Sequence, residues 1–136
     1  MKQLRIVLAL AVALESGSLV PIRARADDEV RDARVEMGRV WYEQYCTPCH
    51  GLGGAPGSAA YADTKQPVDL RNYVQRNGGH FPSGKWLTVV FNPLPGATHT
   101  EVWERIRTGA TGVEGDTQAR GVVAIIADYV ISVQAK

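Results

Sequence analysis

The sequence predicts an all-α domain in which short helices and long loops wrap one site. Residues 28–45 and 117–133 carry apolar side chains at spacings of three and four, the mark of amphipathic helices. Between them, glycine and proline divide the chain into pieces long enough only for short helices and turns. The one strand-like run, residues 122–126, lies inside a longer helical pattern without turn signals, which favours helix.

The elements follow in order. Lys2 and Arg5 precede an apolar run at residues 6–14, and Ala24-Arg25-Ala26 offers an A-x-A cleavage site. Residues 1–26 are therefore expected to be a secretory signal peptide and 27–136 the mature domain. A membrane-spanning helix needs about 20 mainly apolar residues, and Glu15, Gly17, Arg23 and Arg25 interrupt every such window. The first helix is expected over 28–45, capped by Asp27 or Asp28, with Val30, Ala33, Met37, Val40, Trp41 and Tyr45 at helical spacing. Gly38 inside it costs about 1 kcal/mol against alanine, which points to another helix passing close by.

Residues 51–67 are rich in Gly, Ala, Pro and Ser and read as loop. Short helices are expected at 69–76 and 84–91, divided by Asn77-Gly78-Gly79, and Pro93 and Pro95 bracket a turn. A helix over 99–108 stops at Gly109, and 110–116 is loop again. The last helix, 117–133, places Ala119, Val122, Val123, Ile126, Tyr129, Val130 and Val133 along one face. No internal repeat and no long linker divides the mature chain.

The chemistry is concentrated in Cys46-Thr47-Pro48-Cys49-His50, which contains both cysteines of the chain. A C-x-x-C-H run is the attachment signature of a c-type haem: each cysteine forms a thioether to the porphyrin and the histidine binds the iron. Three plainer readings compete. A thioredoxin-like dithiol requires a βαβ setting that is missing here. A structural zinc requires four convergent ligands, usually two separated pairs. A lone disulfide leaves His50 and Gly51 unexplained. The run therefore assigns one covalent haem c, with Cys46 and Cys49 as attachment residues and His50 as proximal iron ligand. A core this small is expected to depend on the cofactor, so the haem-free chain should be largely disordered.

Charge limits the partners. The chain has 15 basic and 14 acidic residues. Removing 1–26 takes Lys2, Arg5, Arg23, Arg25 and Glu15, leaving eleven basic and thirteen acidic residues, a net charge of −2. Such a chain has no basic stripe for nucleic acid and no strong field for docking. No carboxylate pair or nucleophile–base set suggests a hydrolase, so no catalytic residue is assigned. Haem attachment outside the bacterial cytoplasm and the leader together imply a periplasmic protein without an integral span after processing.

These residues resemble the class I c-type cytochromes over nearly the whole mature chain. The run Gly38-Arg39-Val40-Trp41-Tyr42-Glu43-Gln44-Tyr45-Cys46 resembles their N-terminal helix, and Ile126-Ala127-Asp128-Tyr129-Val130 their C-terminal helix. The resemblance implies that the two helices cross, with Gly38 and Tyr42 against Tyr129. Pro67-Val68-Asp69-Leu70, Arg76-Asn77-Gly78-Gly79-His80-Phe81-Pro82 and Val102-Trp103 resemble a bacterial branch of that family. It also implies that His50 donates its Nδ1–H to a backbone carbonyl, that of Pro56. Relatives place a methionine on the distal face of the iron. Here Thr100-Glu101 stand where the branch has Met-Pro, and a second alignment puts Val113 at that site.

The sixth iron position is therefore open to other residues. His99, beside the lost methionine, is the favoured distal ligand because imidazole suits haem iron. His80, the amines of Lys65 and Lys85, and no protein ligand are the alternatives, while Met37 is expected to pack in the core. Trp86 is expected in the core. Trp103 fits the core or the porphyrin equally, and Arg71 and Arg76 fit a haem propionate or solvent. The function implied is one-electron transfer to redox partner proteins, without enzymatic activity of its own. A five-coordinate haem binding a small gas, or a haem subunit of a larger oxidoreductase, are the alternatives.

Overall fold

The structure, a computed structural model, describes residues 22–55, 67–91, 99–109 and 115–135. Within these the chain is mostly helical and has no β-strand element, as expected of an all-α domain. Six helices follow one another: α1 (Ile22–Tyr45), α2 (Thr47–His50), α3 (Tyr73–Arg76), α4 (Ser83–Val90), α5 (Thr100–Arg107) and α6 (Asp116–Ser132). Tight 3₁₀ turns at Leu52–Gly54 and Leu70–Asn72 follow α2 and lead into α3.

The frame is the pairing of α1 with α6, the most extensive contact between any two elements. Gly38 permits it. A Cβ at this position would overlap the carbonyl oxygen of Ile125 and lie 3.1 Å from the Cβ of Tyr129. One turn on, the rings of Tyr42 and Tyr129 meet at 5.0 Å between centres. Arg34 and Asp128 add an ion pair at 2.7 Å across the same helices. The pair is partly exposed, so its contribution is small.

Helices α4 and α5 close the core against α6. Trp86 is buried and donates its indole N–H to the carbonyl of Val123 at 3.2 Å. It also meets Tyr73 and Phe81, with centres 6.0 and 5.6 Å away. Trp103, also buried, packs edge-on against Phe91 at 4.6 Å. Both tryptophans are thus core residues. Along α6, Ala119, Val122, Val123, Ile126, Tyr129 and Val130 are buried, the face its periodicity predicts.

Helix α1 departs from expectation in two respects. It begins at Ile22 rather than near residue 28, so Asp27 and Asp28 lie inside it and cap nothing. No glycine or proline occurs between Ile22 and Met37 to end the helix earlier. The proposed boundary after Ala26 falls within α1, while residues 1–21 of the proposed leader lie outside the described residues.

The second departure is rotational. Val30, Met37 and Val40 are exposed, and Met37 is not a core residue. The buried face is Gly38, Tyr42 and Tyr45, with Val35 and Trp41 at its margin. Gly38 must face α6, and at roughly 100° per residue that turns Met37 and Val40 outward. No described helix is long and apolar enough to cross a membrane.

Candidate functional site

Helix α1 delivers the motif. The amide of Cys46 donates to the carbonyl of Tyr42 at 2.8 Å, and that of His50 to the carbonyl of Cys46 at 2.8 Å. Residues 46–50 therefore form one continuous turn. Cys46 and Cys49, three apart, and His50, four from Cys46, share a face. Both cysteines are free and half-buried. Burial pushes the Cys46 thiol up to about 12, with the neighbouring Cys49 adding to the effect. At neutral pH that sulfur is a protonated thiol.

The turn after the motif is held from below by the crossing tyrosines. Tyr42 donates its hydroxyl to the carbonyl of Gly51 at 3.0 Å. Backbone hydrogen bonds from Gly54 and Gly53 reach the oxygens of Tyr42 and Tyr129. Gly54 has φ +82° and is buried with Leu70 behind it, so a side chain there would be strained and crowded.

For His50, the expected acceptor Pro56 lies outside the described residues. Its Nδ1 is 3.0 Å from the carbonyl oxygen of Val68, and the ring N–H donates there. The turn from Asp69 to Asn72 packs under Gly54 and carries Val68 alongside the imidazole. Burial lowers the pKa of His50, outweighing the opposing effect of that carbonyl.

His99 stands next to it, immediately before α5. The two imidazoles are 6.2 Å apart between centres and within 5° of parallel. Burial lowers the pKa of His99 most, nearby His50 lowers it further, and a hydrogen bond to the backbone of Val89 opposes both. Each ring is therefore neutral at pH 7. Each gives one N–H to a carbonyl and keeps the other nitrogen as a lone-pair donor.

The spacing of the rings matches that needed for an iron between two imidazoles. A metal bonded to each at about 2 Å, with each nitrogen roughly 1.1 Å from its ring centre, requires centres about 6 Å apart. Apolar surface lies at hand. Leu52, Val68 and Val89 are among the few exposed large apolar side chains; Leu52 follows the motif, and the two valines supply the carbonyls that hold His50 and His99. No group of three or more His, Cys, Asp or Glu residues that could hold a metal ion occurs among the described residues, so the zinc reading gains nothing.

The other candidates lie elsewhere. His80 is exposed, beyond the turn that follows α3. Lys85 is exposed and donates to the side-chain oxygen of Asn77 at 3.0 Å. Lys65 and Val113 lie outside the described residues. Arg71 pairs with Asp69 at 2.7 Å and holds its carboxyl below the ordinary range, while Arg76 donates to the Asp69 carbonyl.

Sequence reasoning missed Val68 and Val89, which act through carbonyl oxygens that every residue possesses. No signal in their side chains could have found them. The hydroxyl bonds of Tyr42 and Tyr129 were equally hidden, although the crossing of their rings was not. Comparison with protein-family models, with curated proteins and with solved structures returns no match for this chain.

Proposed function

We propose that this chain is a one-electron carrier of the c-type cytochrome kind. Cys46 and Cys49 would attach one haem, and His50 and His99 would hold its iron. The observation that carries the reading is the pair of neutral, near-parallel imidazoles 6.2 Å apart beside a C-x-x-C-H turn. When bound, the haem would supply an iron that alternates between ferric and ferrous states.

The chain's own residues determine how well that site serves transfer. Two imidazoles already placed limit rearrangement on changing oxidation state. The carbonyls of Val68 and Val89 fix both ring orientations and keep the coordinating nitrogens unprotonated. Two histidines, rather than histidine and methionine, place the potential lower, because a methionine ligand raises it. Exported, periplasmic redox proteins are the partners this reading implies.

The test is spectroscopic. The full chain, expressed with a haem-attachment system, should retain haem on a denaturing gel and show a low-spin ferric spectrum with no carbon monoxide binding when reduced. A high-spin ferric protein that binds carbon monoxide rapidly would favour the open-site alternative. Absence of covalent haem would remove both.

A further inference from the structure

The penultimate residue the structure describes reaches back to the site. Gln134, just beyond α6, donates its side-chain amide to the carbonyls of Leu70 at 2.8 Å and Val130 at 2.6 Å. Its side-chain oxygen accepts from the amide of Val74 at 2.8 Å. Next to it, the amide of Ala135 donates to the carbonyl of Arg71 at 2.7 Å. Gln134 and Ala135 thus hold three residues, Leu70, Arg71 and Val74, sixty or more positions earlier in sequence.

That segment begins at Val68, whose carbonyl receives the His50 Nδ1–H. Between Val68 and Leu70, Asp69 caps the turn through its carboxylate, accepting from the Arg71 amide at 2.9 Å. The turn is therefore fixed from the far side by Gln134 and internally by Asp69. Without Gln134, the Leu70 carbonyl and the Val74 amide would each lose their side-chain partner, and the turn would be free to draw Val68 away from the imidazole.

We infer that Gln134 is a positioning residue for His50, setting the strength of its bond to Val68 and through it the donor strength of the ligand. The inference rests on the reading of His50 as an iron ligand. A hydrogen bond to the second ring nitrogen raises ligand basicity and favours the ferric state, and losing such a partner typically costs 10- to 100-fold in metal affinity or activity. Gln134 acts one step further away, so the lower end applies.

The test compares the full haem-bearing chain with Gln134→Ala and Gln134→Glu. Glutamate keeps the size and the acceptor for Val74 but has no N–H for the carbonyls of Leu70 and Val130. Both variants should retain covalent haem and near-native helix content. Both should raise the reduction potential by about a tenfold shift in the redox equilibrium, or 59 mV for one electron, and alter the low-spin electron paramagnetic resonance signal. Unchanged potential and signal in both would overturn the inference, as would a Gln134→Glu protein indistinguishable from wild type beside a shifted Gln134→Ala, which would mean packing alone. Loss of folded haem protein in both would also overturn it, by showing a role in the whole fold. A wild-type chain without covalent haem on a denaturing gel overturns the inference together with the reading beneath it, and that result is distinct from all the others.

Discussion

Replacing Gly38 by alanine tests the frame on which the site is built. The added Cβ overlaps the Ile125 carbonyl oxygen and stands 3.1 Å from both the Ile125 carbonyl carbon and the Tyr129 Cβ. Ordinary carbon–oxygen contacts begin near about 3.3 Å, so α1 and α6 must separate by about 1 Å. The obstruction is helix backbone and cannot rotate aside. A gap of that size forfeits roughly a quarter to a half of each local dispersion contact, and with backbone as the obstruction the cost falls at the upper end of the roughly 1–3 kcal/mol of overpacking. The better helix propensity of alanine returns about 1 kcal/mol, leaving about 2 kcal/mol of net destabilisation. For a domain of this size that lowers the melting temperature by roughly 10 °C.

Gly121→Ala, at a position in α6 with nothing near the new methyl group, is the matched control and should be neutral or stabilising by up to about 1 kcal/mol. Thermal unfolding followed by far-ultraviolet circular dichroism measures both. A Gly38→Ala protein as stable as wild type, or a Gly121→Ala protein equally weakened, refutes the close crossing. The same displacement shifts the Tyr42–Tyr129 contact under the turn that follows His50.

Three further outcomes are expected. His99→Ala should convert the ferric protein from low-spin to high-spin and admit carbon monoxide to the reduced form; an unchanged low-spin spectrum removes His99 from the iron. In a haem-free chain that keeps this fold, against the disorder its small core suggests, a Cys46 thiol near pKa 12 is almost entirely protonated at pH 8, so alkylation there should run on the order of 10³-fold slower than for an unperturbed cysteine, and equal rates with and without denaturant contradict the burial. The depressed pKa values of His50 and His99 mean that the unfolded haem-free chain binds more protons than the folded one just below its ordinary histidine pKa of about 6.5. Their contribution is full above that pH and fades as pH falls through the folded values, with a slope of up to about 1.4 kcal/mol per pH unit for each histidine; a denaturation midpoint independent of pH from 7 to 5 contradicts it.

Much of this arrangement is legible in the sequence because it depends on residue type at fixed spacing. The cysteines at 46 and 49 with His50 must lie on one turn whatever surrounds them, and the chain folds them so. Gly38 signals a close helix from composition alone, since a helix interior otherwise disfavours glycine. Gly78-Gly79 and Gly109 mark the ends of short helices where the structure ends them. The rotation of α1 was not legible: Val30, Ala33, Met37 and Val40 recur at the same three-and-four spacing as Gly38, Tyr42 and Tyr45. Only the partner helix decides which stripe is covered. The Val68 and Val89 carbonyls, and Gln134, were hidden because backbone acceptors carry no side-chain signature and a glutamine near a chain end suggests only a solvated residue.

The two imidazoles are held by unlike means, and that asymmetry orders the events at the site. His50 follows a continuous helical turn that α1 carries, with Tyr42 and Tyr129 beneath the next turn and the Asp69–Asn72 segment clamped beside it. His99 begins α5, and beyond its bond to Val89 its ring has no further described hydrogen-bond partner. Holding a ligand in place lowers the entropic cost of keeping it on a metal, so the better-tethered ring is the one retained under strain. In the proposed haem protein a competing small ligand should therefore displace His99 while His50 stays bound. A carrier and a gas-binding protein built on this chain would differ in one side of the iron, and the residues that separate them are His99 and the Val89 carbonyl that aims it.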